Sequence, residues 1–135
     1  MLAVTGDGGF PYAVPLSFVY NNGKIYFHSA VQGHKIDAIK RDSRCSFCVI
    51  DMDDVKPAEF TTYFRSVIAF GQITVIEDVD EQLQALRMLG SRYSPLNEEG
   101  LQHEIDKAKG RVTLLRLDIE HVTGKEAIEL VRARK

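Results

Sequence analysis

The stretch YAVPLSFVYNNGKIYFHS, residues 12–29, carries the clearest signal for the fold. At its centre is an Asn-Gly dipeptide, residues 22–23, between two apolar runs, and this is the strongest short-range sign of a β-hairpin. The segment after the turn, residues 24–29, contains the aromatic and β-branched residues that strands favour. The sequence therefore predicts two antiparallel strands joined by a tight turn.

The first strand of this hairpin, predicted over residues 12–20, has two distinct faces. Val14, Leu16 and Phe18 share one face, as in a strand that is buried on one side. Pro15 lies in the middle of the strand and cannot donate a hydrogen bond to a neighbour. We therefore expect Pro15 at a sheet edge, at a bulge, or where the hydrogen-bond ladder opens toward a ligand.

After the hairpin the pattern changes to a short helix and then to another strand. Residues 33–41 place Ile36 and Ile39 at the i, i+3 spacing of an inward helix face. Residues 44–52 are predicted as a strand. The acidic, proline-containing segment 51–61 is predicted as a solvated loop, because charge runs usually mark exposed surface.

The second half of the chain alternates between strands and helices. A long strand is predicted over residues 63–77, with Gly71 at a bend that would curl the sheet. The remaining predictions are a helix over 80–92, a break at Ser94-Pro95, a helix over 97–109 capped by Gly110, a strand over 111–119, and a charged tail entered through Thr123-Gly124-Lys125. Residues 1–135 thus predict one α+β domain, a bent antiparallel sheet or small barrel with peripheral helices.

Composition limits the classes of function. The formal net charge of −2 over 135 residues gives no overall field that would attract nucleic acid or an anionic membrane. No apolar run approaches the roughly 20 residues of a membrane-spanning helix. Residues 1–10 lack the basic start and long apolar stretch of a signal peptide. We therefore expect a cytoplasmic protein with neither nucleic acid nor membrane as a partner.

Cys45 and Cys48 form a C-x-x-C motif, which could suggest a redox pair or half of a zinc site. Residues three apart on a strand point to opposite faces, which argues against both. No second C-x-x-C or suitably spaced histidine pair completes a metal set. We expect two reduced, core-type cysteines and no metal site.

The strand-to-helix junction at residues 28–35 contains side chains suited to binding an anion. If the helix begins at Gly33, its free N–H groups and positive dipole end lie there. Lys35 would sit in the same turn, where a cation is unfavourable unless an anion is near. A phosphate bound by the N–H groups, Lys35 and the Ser29 hydroxyl would reconcile these features. His28, on the face opposite Phe27, could lie beside whatever the phosphate anchors; surface histidines and a chance lysine are the alternative.

Five segments in order carry a resemblance to a known family: PYAVPLSFVY, NGKIYFHSA, GHK, YFRSVIAFG and a late TGK. The sequence resembles the pyridoxamine 5'-phosphate oxidase-like flavoproteins, most closely the branch described as nitroimidazole-resistance (NimA-like) proteins, from Gly9 to about Leu130. The resemblance implies the FMN-binding split β-barrel, antiparallel and Greek-key-like with peripheral helices. It also implies a homodimer with two FMN sites at the subunit interface.

The resemblance implies which residues surround the flavin ring. The backbone of Val14, Pro15 and Leu16 would run along the isoalloxazine, with the missing N–H of the proline leaving room for the cofactor. His28 and Ser29 would line the ring and ribityl region. His28 is the expected catalytic residue, because it would lie where the cofactor site opens to a substrate.

The resemblance also implies a phosphate grip and a contribution from a second chain. Lys35 would bind the FMN phosphate, with His34 near it. Ser66 and Val67, in the R-S-V segment, would contact the flavin from the partner chain.

The sequence departs from the family pattern in two places. Family members usually carry a helix and part of a strand before the first segment, whereas about nine residues precede it here, which leaves a shortened N-terminus open. The oxidase proper has more basic residues around the phosphate and a C-terminal substrate-binding segment, and neither is found here. We therefore do not expect vitamin B6 oxidation.

Three functions follow as hypotheses. The first is an FMN-dependent, nitroreductase-like oxidoreductase that takes electrons from a reduced nicotinamide or another donor and acts on a small-molecule substrate. The second is a non-catalytic flavin- or heme-binding protein, in which His28 or His34 could ligate iron. The third is a structural homodimer with an empty pocket.

The strand over residues 63–76 also bears on dimerisation. Its apolar residues occupy both faces, Phe64, Ile68 and Phe70 on one and Val67, Ala69 and Ile73 on the other. A strand buried on both sides in so small a barrel indicates a partner surface. The alternative is that the two helices of the same chain cover it.

Overall fold

The computed structural model describes residues 1–93 and 98–134. In this part of the chain the strands are β1 Leu2–Thr5, β2 Pro11–Val14, β3 Val19–Asn21, β4 Lys24–Ser29, β5 Arg44–Lys56, β6 Thr61–Val75 and β7 Thr113–Glu126. The α-helices are α1 His34–Arg41, α2 Val79–Tyr93, α3 Glu98–Ala108 and α4 Ile128–Ala133. The strands pair antiparallel in the order β2-β1-β5-β6-β7-β4-β3.

The two edges of this sheet are almost adjacent in sequence. Val14, at the end of β2, pairs with Leu2 on β1, whereas Val19, at the start of β3, pairs with Tyr26 on β4. Five residue steps span at most about 18 Å, so the edges must approach each other here. The sheet is therefore curled into an incompletely closed barrel, the split barrel that the sequence predicts.

The prediction of one continuous strand over residues 12–20 is wrong, because the strand breaks at residues 15–18. Of the three placements expected for Pro15, the structure shows a position at a sheet edge where the ladder ends, since the edge strand β2 ends at Val14. Leu16 and Phe18 still pack against the barrel core, although they lie outside the ladder. The ring of Phe18 meets that of Phe47 edge-on, with centroids 5.0 Å apart.

The predicted hairpin and first helix are confirmed. Asn22 and Gly23 have φ of 51° and 80°, as a tight hairpin turn requires. The strand β4 has the predicted limits, and α1 begins directly after Gly33. Ile36 and Ile39 are buried, which orients the helix and fixes its first turn beside the end of β4.

Two strands extend further than the sequence predicts. The acidic segment predicted as a loop continues β5 as far as Lys56, because residues 52–56 pair with residues 61–65 of β6. The predicted tail at 123–125 belongs to β7 and pairs with β6 at Ser66–Ile68. These cross-strand pairings override the low strand propensity of aspartate and glycine. The strand β1 and the helix α4 were not predicted.

Gly71 lies at the bend of β6, as predicted. The register between β6 and β7 shifts between Phe70 and Gly71, which marks a bulge. A Cβ atom on Gly71 would lie 2.0 Å from the backbone oxygen of Asp118. Only glycine permits this approach, so one residue sets the curvature of the central strand pair.

The predicted helix pair is present, and it covers one side of the sheet. Ala85 of α2 joins Tyr26, Ile76 and Leu114 in a buried cluster between the helix and the sheet. Leu101 and Ile105 of α3 are also buried. The predicted break at Ser94-Pro95 and the predicted helix start at Asn97 lie outside the described residues.

Candidate functional site

The junction between β4 and α1 presents an uncapped helix end. Gly33, the N-cap residue, has φ 149° and ψ 174°, a conformation that essentially only glycine adopts. No side chain of the described residues caps α1, so its first N–H groups have no side-chain acceptor. The hydroxyl of Thr113 donates to the carbonyl of Val31 at 3.5 Å and ties the connecting loop to the sheet.

Lys35 and Ser29 flank this helix end without partners of their own. Lys35 is half-buried in the first turn of α1 and makes no ion pair or hydrogen bond within the described part of the chain. Ser29 is 8% exposed, and its hydroxyl likewise has no hydrogen-bond partner among residues 1–93 and 98–134. The β4–α1 junction thus contains a positive helix end, an unpaired ammonium and an unpaired hydroxyl, which are groups that stabilise an anion.

The side chain of His34 is directed to the N-terminal loop. Its Nδ1 lies 3.3 Å from a carboxylate oxygen of Asp7, and its ring is 4.5 Å from that of Tyr12, centroid to centroid. Arg41 donates to the other oxygen of Asp7 at 2.8 Å; that hydrogen bond, followed by the nearby His34, lowers the pKa of the Asp7 carboxyl. The predicted phosphate contact of His34 would therefore come from its backbone N–H, or would require the pairing with Asp7 to open.

His28 lies on the opposite face of β4 from Phe27, as predicted, and faces the helices. The Phe27 side chain is fully buried in the barrel, whereas His28 is exposed and lines a partly enclosed cavity of about 240 Å³ between β4, α2 and α3. Its imidazole makes no hydrogen bond within the described residues. The ring is therefore available to a bound molecule.

The segment 15–18, which includes Pro15 and Leu16 of the three residues that the resemblance places along the flavin, is held by the end of α2. The backbone N–H of Phe18 donates to the Tyr93 hydroxyl at 2.8 Å. The guanidinium of Arg92 lies 4.5 Å from the centre of the Phe18 ring. Since these contacts replace the missing ladder, the segment has a defined path although it belongs to neither edge strand.

Ser66 and Val67 lie far along the sheet from Ser29. Ser29 pairs with Thr113 at one end of β7, whereas Ser66 pairs with Lys125, twelve residues further along. At about 3.3 Å per residue this is a path of about 40 Å along the strand. His28, Ser29 and Lys35 thus belong to the β4–α1 junction, with His28 on the opposite face of β4 from Ser29, whereas Ser66 and Val67 lie toward the other end of β7 along the strands.

The sequence comparison agrees with this arrangement of elements. A family model described as "Pyridoxamine 5'-phosphate oxidase" matches residues 1–126. The chain belongs to the pyridoxamine 5'-phosphate oxidase family. The predicted family and the predicted split-barrel fold are both confirmed, whereas no curated protein matches the chain significantly.

Solved structures of similar fold include proteins with different described roles. A candidate 5-nitroimidazole antibiotic resistance protein of Bacteroides thetaiotaomicron has a TM-score of 0.71 and 22% identity, over 91% of this chain and 73% of that one. The conserved hypothetical protein Rv2991 of Mycobacterium tuberculosis has a TM-score of 0.80 and 18% identity, over 96% of this chain and 78% of that one. A FAD and heme binding protein of Mycobacterium smegmatis has a TM-score of 0.73 and 22% identity, over 99% of this chain and 71% of that one. These likenesses show a shared fold.

The polar residues that line the cavity beside His28 in this family member were not predicted as site residues from the sequence. Ser17, Tyr93 and Glu104 line it together with His28. The position of Ser17 opposite the inward Leu16 and Phe18 was a usable signal, because a polar residue there must face outward. Tyr93 and Glu104 reach the cavity only through helix packing, which local sequence patterns do not show.

The two cysteines lie apart from this site. Both are free; Cys45 is buried and Cys48 half-buried on the opposite face of β5. Burial is the main cause that raises the pKa of Cys45 to about 12, so its thiol stays protonated. Among the described residues no three His, Cys, Asp or Glu side chains cluster as metal ligands, and no helix there combines the length and apolarity needed to cross a membrane.

Proposed function

We propose that the protein is an FMN-binding flavoprotein that acts as an oxidoreductase on a small molecule. The observation that carries the proposal is the junction at residues 29–35, which contains an uncapped helix end, a lysine without an ion pair in the described residues and a serine hydroxyl without a hydrogen bond there. A terminal phosphate dianion suits these groups, because it can accept several hydrogen bonds at once. Membership of the family and the FAD-binding neighbour support a flavin.

Each group at the junction has its own proposed role in holding the cofactor. Lys35, Ser29 and the first N–H groups of α1 would hold the phosphate, while the 15–18 segment would border the ring. Pro15 is exposed and has no N–H, so it presents no unsatisfied donor to the flavin. When bound, the flavin supplies the electron-transfer chemistry, and the protein supplies position and electrostatics.

His28 is the proposed proton donor at this site. Its imidazole is exposed in the cavity and free of protein hydrogen bonds within the described residues, and an imidazole is a common general acid. It is the side chain near the junction best suited to deliver a proton to a bound substrate.

The test of this function starts with the visible spectrum of the purified protein, before and after adding FMN and desalting. We expect retained flavin bands and reduction of nitroaromatic compounds with a reduced nicotinamide as donor. His28→Ala should keep FMN while turnover falls about 100-fold, in the range of general acid–base effects. His103→Ala, an exposed histidine on α3, is the matched control.

Two results would count against the enzyme. Unchanged turnover in His28→Ala would remove the proposed role of His28. A Soret band in place of flavin bands would favour heme binding, the second candidate. The observations that favour this candidate are the exposed His28 imidazole and the FAD and heme binding neighbour.

We further propose that the protein is a homodimer with FMN at the interface, since one protomer separates Ser66 and Val67 from Ser29. Apolar side chains are exposed on both faces of the sheet where β5, β6 and β7 run together. Val67 and Val122, 39% and 50% exposed, lie on one face; Ile50 and Phe70, 67% and 40% exposed, lie on the other. The helices of the same chain thus leave Val67 and Phe70 uncovered, which supports a partner surface.

Val67→Asp is expected to convert the dimer to a monomer and to reduce the FMN retained after desalting. A charge on this apolar surface would have to be desolvated in the interface. Light scattering at micromolar concentration and the flavin-to-protein absorbance ratio measure the two effects. Thr74→Asp, at an exposed position on the same strand, is the control. A wild-type monomer that binds FMN stoichiometrically would contradict the proposal.

A further inference from the structure

The cavity beside His28 is built differently from the phosphate-binding end of the junction. Its walls are apolar and come from two helices, with Leu89 from α2 and Leu101 and Ile105 from α3. Leu101 and Ile105 are buried, so the walls belong to the packed structure rather than to a loose surface. A cavity with apolar walls and a few polar groups is the usual form of a small-molecule site.

The volume of the cavity is sufficient for one aromatic ring. Its volume is about 240 Å³. A cavity of about 150 Å³ is enough to hold benzene, so there is room for a single aromatic ring and one substituent.

The polar groups at the cavity define which substituent fits. His28 and Ser17 line it, and neither side chain has a hydrogen-bond partner within the described part of the chain. A neutral imidazole and a hydroxyl can each donate one hydrogen bond. Glu104 is the acidic residue at the cavity, and no lysine or arginine lines it among the described residues. Its carboxylate disfavours the binding of an anionic ligand in the cavity.

We propose that this cavity binds neutral, single-ring aromatic compounds whose substituent accepts a hydrogen bond from His28 or Ser17, and that these are the substrate class. The claim that these compounds are substrates rests on the proposed function. The claim that the cavity binds the ring depends on the cavity alone, so either claim can fail without the other.

The test compares nicotinamide with nicotinate, which share one ring and differ in a neutral amide against a carboxylate. Binding is followed by the NMR signals of the His28 imidazole, which the His28→Gln variant identifies. We expect nicotinamide to bind about tenfold more tightly than nicotinate, because the carboxylate would be desolvated beside Glu104. In Glu104→Gln the ratio should fall to about threefold.

A variant that fills the cavity provides a second measurement. Ala108→Phe places a ring in the space between α2 and α3, and nicotinamide affinity should drop at least tenfold. Lys107→Phe, exposed at the neighbouring position, should leave it unchanged. If Ala108→Phe does not fold, Glu104→Gln still decides, since Glu104 is exposed.

Retention of FMN, measured on the same samples, separates this inference from the proposed function. Two results would overturn the cavity assignment if FMN is retained: equal affinity for nicotinamide and nicotinate, or a nicotinamide affinity that Ala108→Phe does not change. Either result would leave the flavin site intact. Cavity-dependent nicotinamide binding without FMN would support the ring site but overturn its assignment as the substrate site.

Discussion

Replacing Gly71 with alanine is expected to lower the free energy of unfolding by about 3 kcal/mol or more, among the larger effects of a single substitution. The new Cβ would lie 2.0 Å from the backbone oxygen of Asp118 and 3.0 Å from a methyl carbon of Leu117. A backbone oxygen in a paired strand cannot rotate away as a flexible side chain can. The β6–β7 pairing must therefore shift on one side of the bulge, and the bend that curls the barrel must shift with it.

Gly124→Ala is the matched control for this prediction. Gly124 lies on β7 of the same strand pair, opposite Val67, but a Cβ there would lie 4.0 Å from its nearest neighbour, the backbone oxygen of Ser66. Its effect should stay within about 0.5 kcal/mol. Urea unfolding at equal protein concentrations measures both variants. Equal stability of the two would mean that the close approach at Gly71 relaxes easily and does not set the curvature.

Local signals in the sequence were enough to predict the elements that fix the junction. The Asn-Gly turn, the short helix with Ile36 and Ile39 inward, and the bend at Gly71 each depend on neighbouring residues, and the structure contains all three. His28, Ser29 and Lys35 lie on these elements. Their place at one junction therefore followed from sequence order, whereas a shared binding site stays a prediction.

The predictions that failed depend on pairings between distant parts of the chain. Pro15 indicated that the ladder opens, but nothing local showed that Val14 and Val19 would join opposite edges of the sheet. Aspartates at 51, 53 and 54 indicated a loop, yet the pairing of β5 with β6 extends through them. Tyr93 and Glu104 line the cavity because α2 and α3 pack together, and this contact between distant parts of the chain likewise leaves no local signal in the sequence.

Replacing Lys35 with alanine is expected to change FMN affinity and folding stability in different directions. FMN affinity should fall about 10- to 100-fold, the effect of losing one charge-assisted hydrogen bond to phosphate. The stability of the FMN-free protein should stay the same or rise by up to about 0.5 kcal/mol. This rise is expected because Lys35 places a cation at the positive end of α1 and has no ion-pair partner within the described residues.

Opposite signs of the two effects distinguish a binding residue from a structural one. Lys35→Arg keeps the charge and should retain most of the affinity. Lys40→Ala removes an exposed lysine from the last turn of α1, so it should leave FMN affinity unchanged and lower the stability slightly, because a cation is favourable at that end of the helix. Flavin fluorescence titrations give the affinities, and thermal unfolding of the FMN-free proteins gives the stabilities. Added salt should weaken binding more in the wild type than in Lys35→Ala, because it screens the lysine–phosphate attraction.

Equal FMN affinity in Lys35→Ala and Lys40→Ala would place the phosphate away from this helix end. A clear loss of stability without FMN would instead make Lys35 part of the folded framework, because the cation would then stabilise the protein with no phosphate bound.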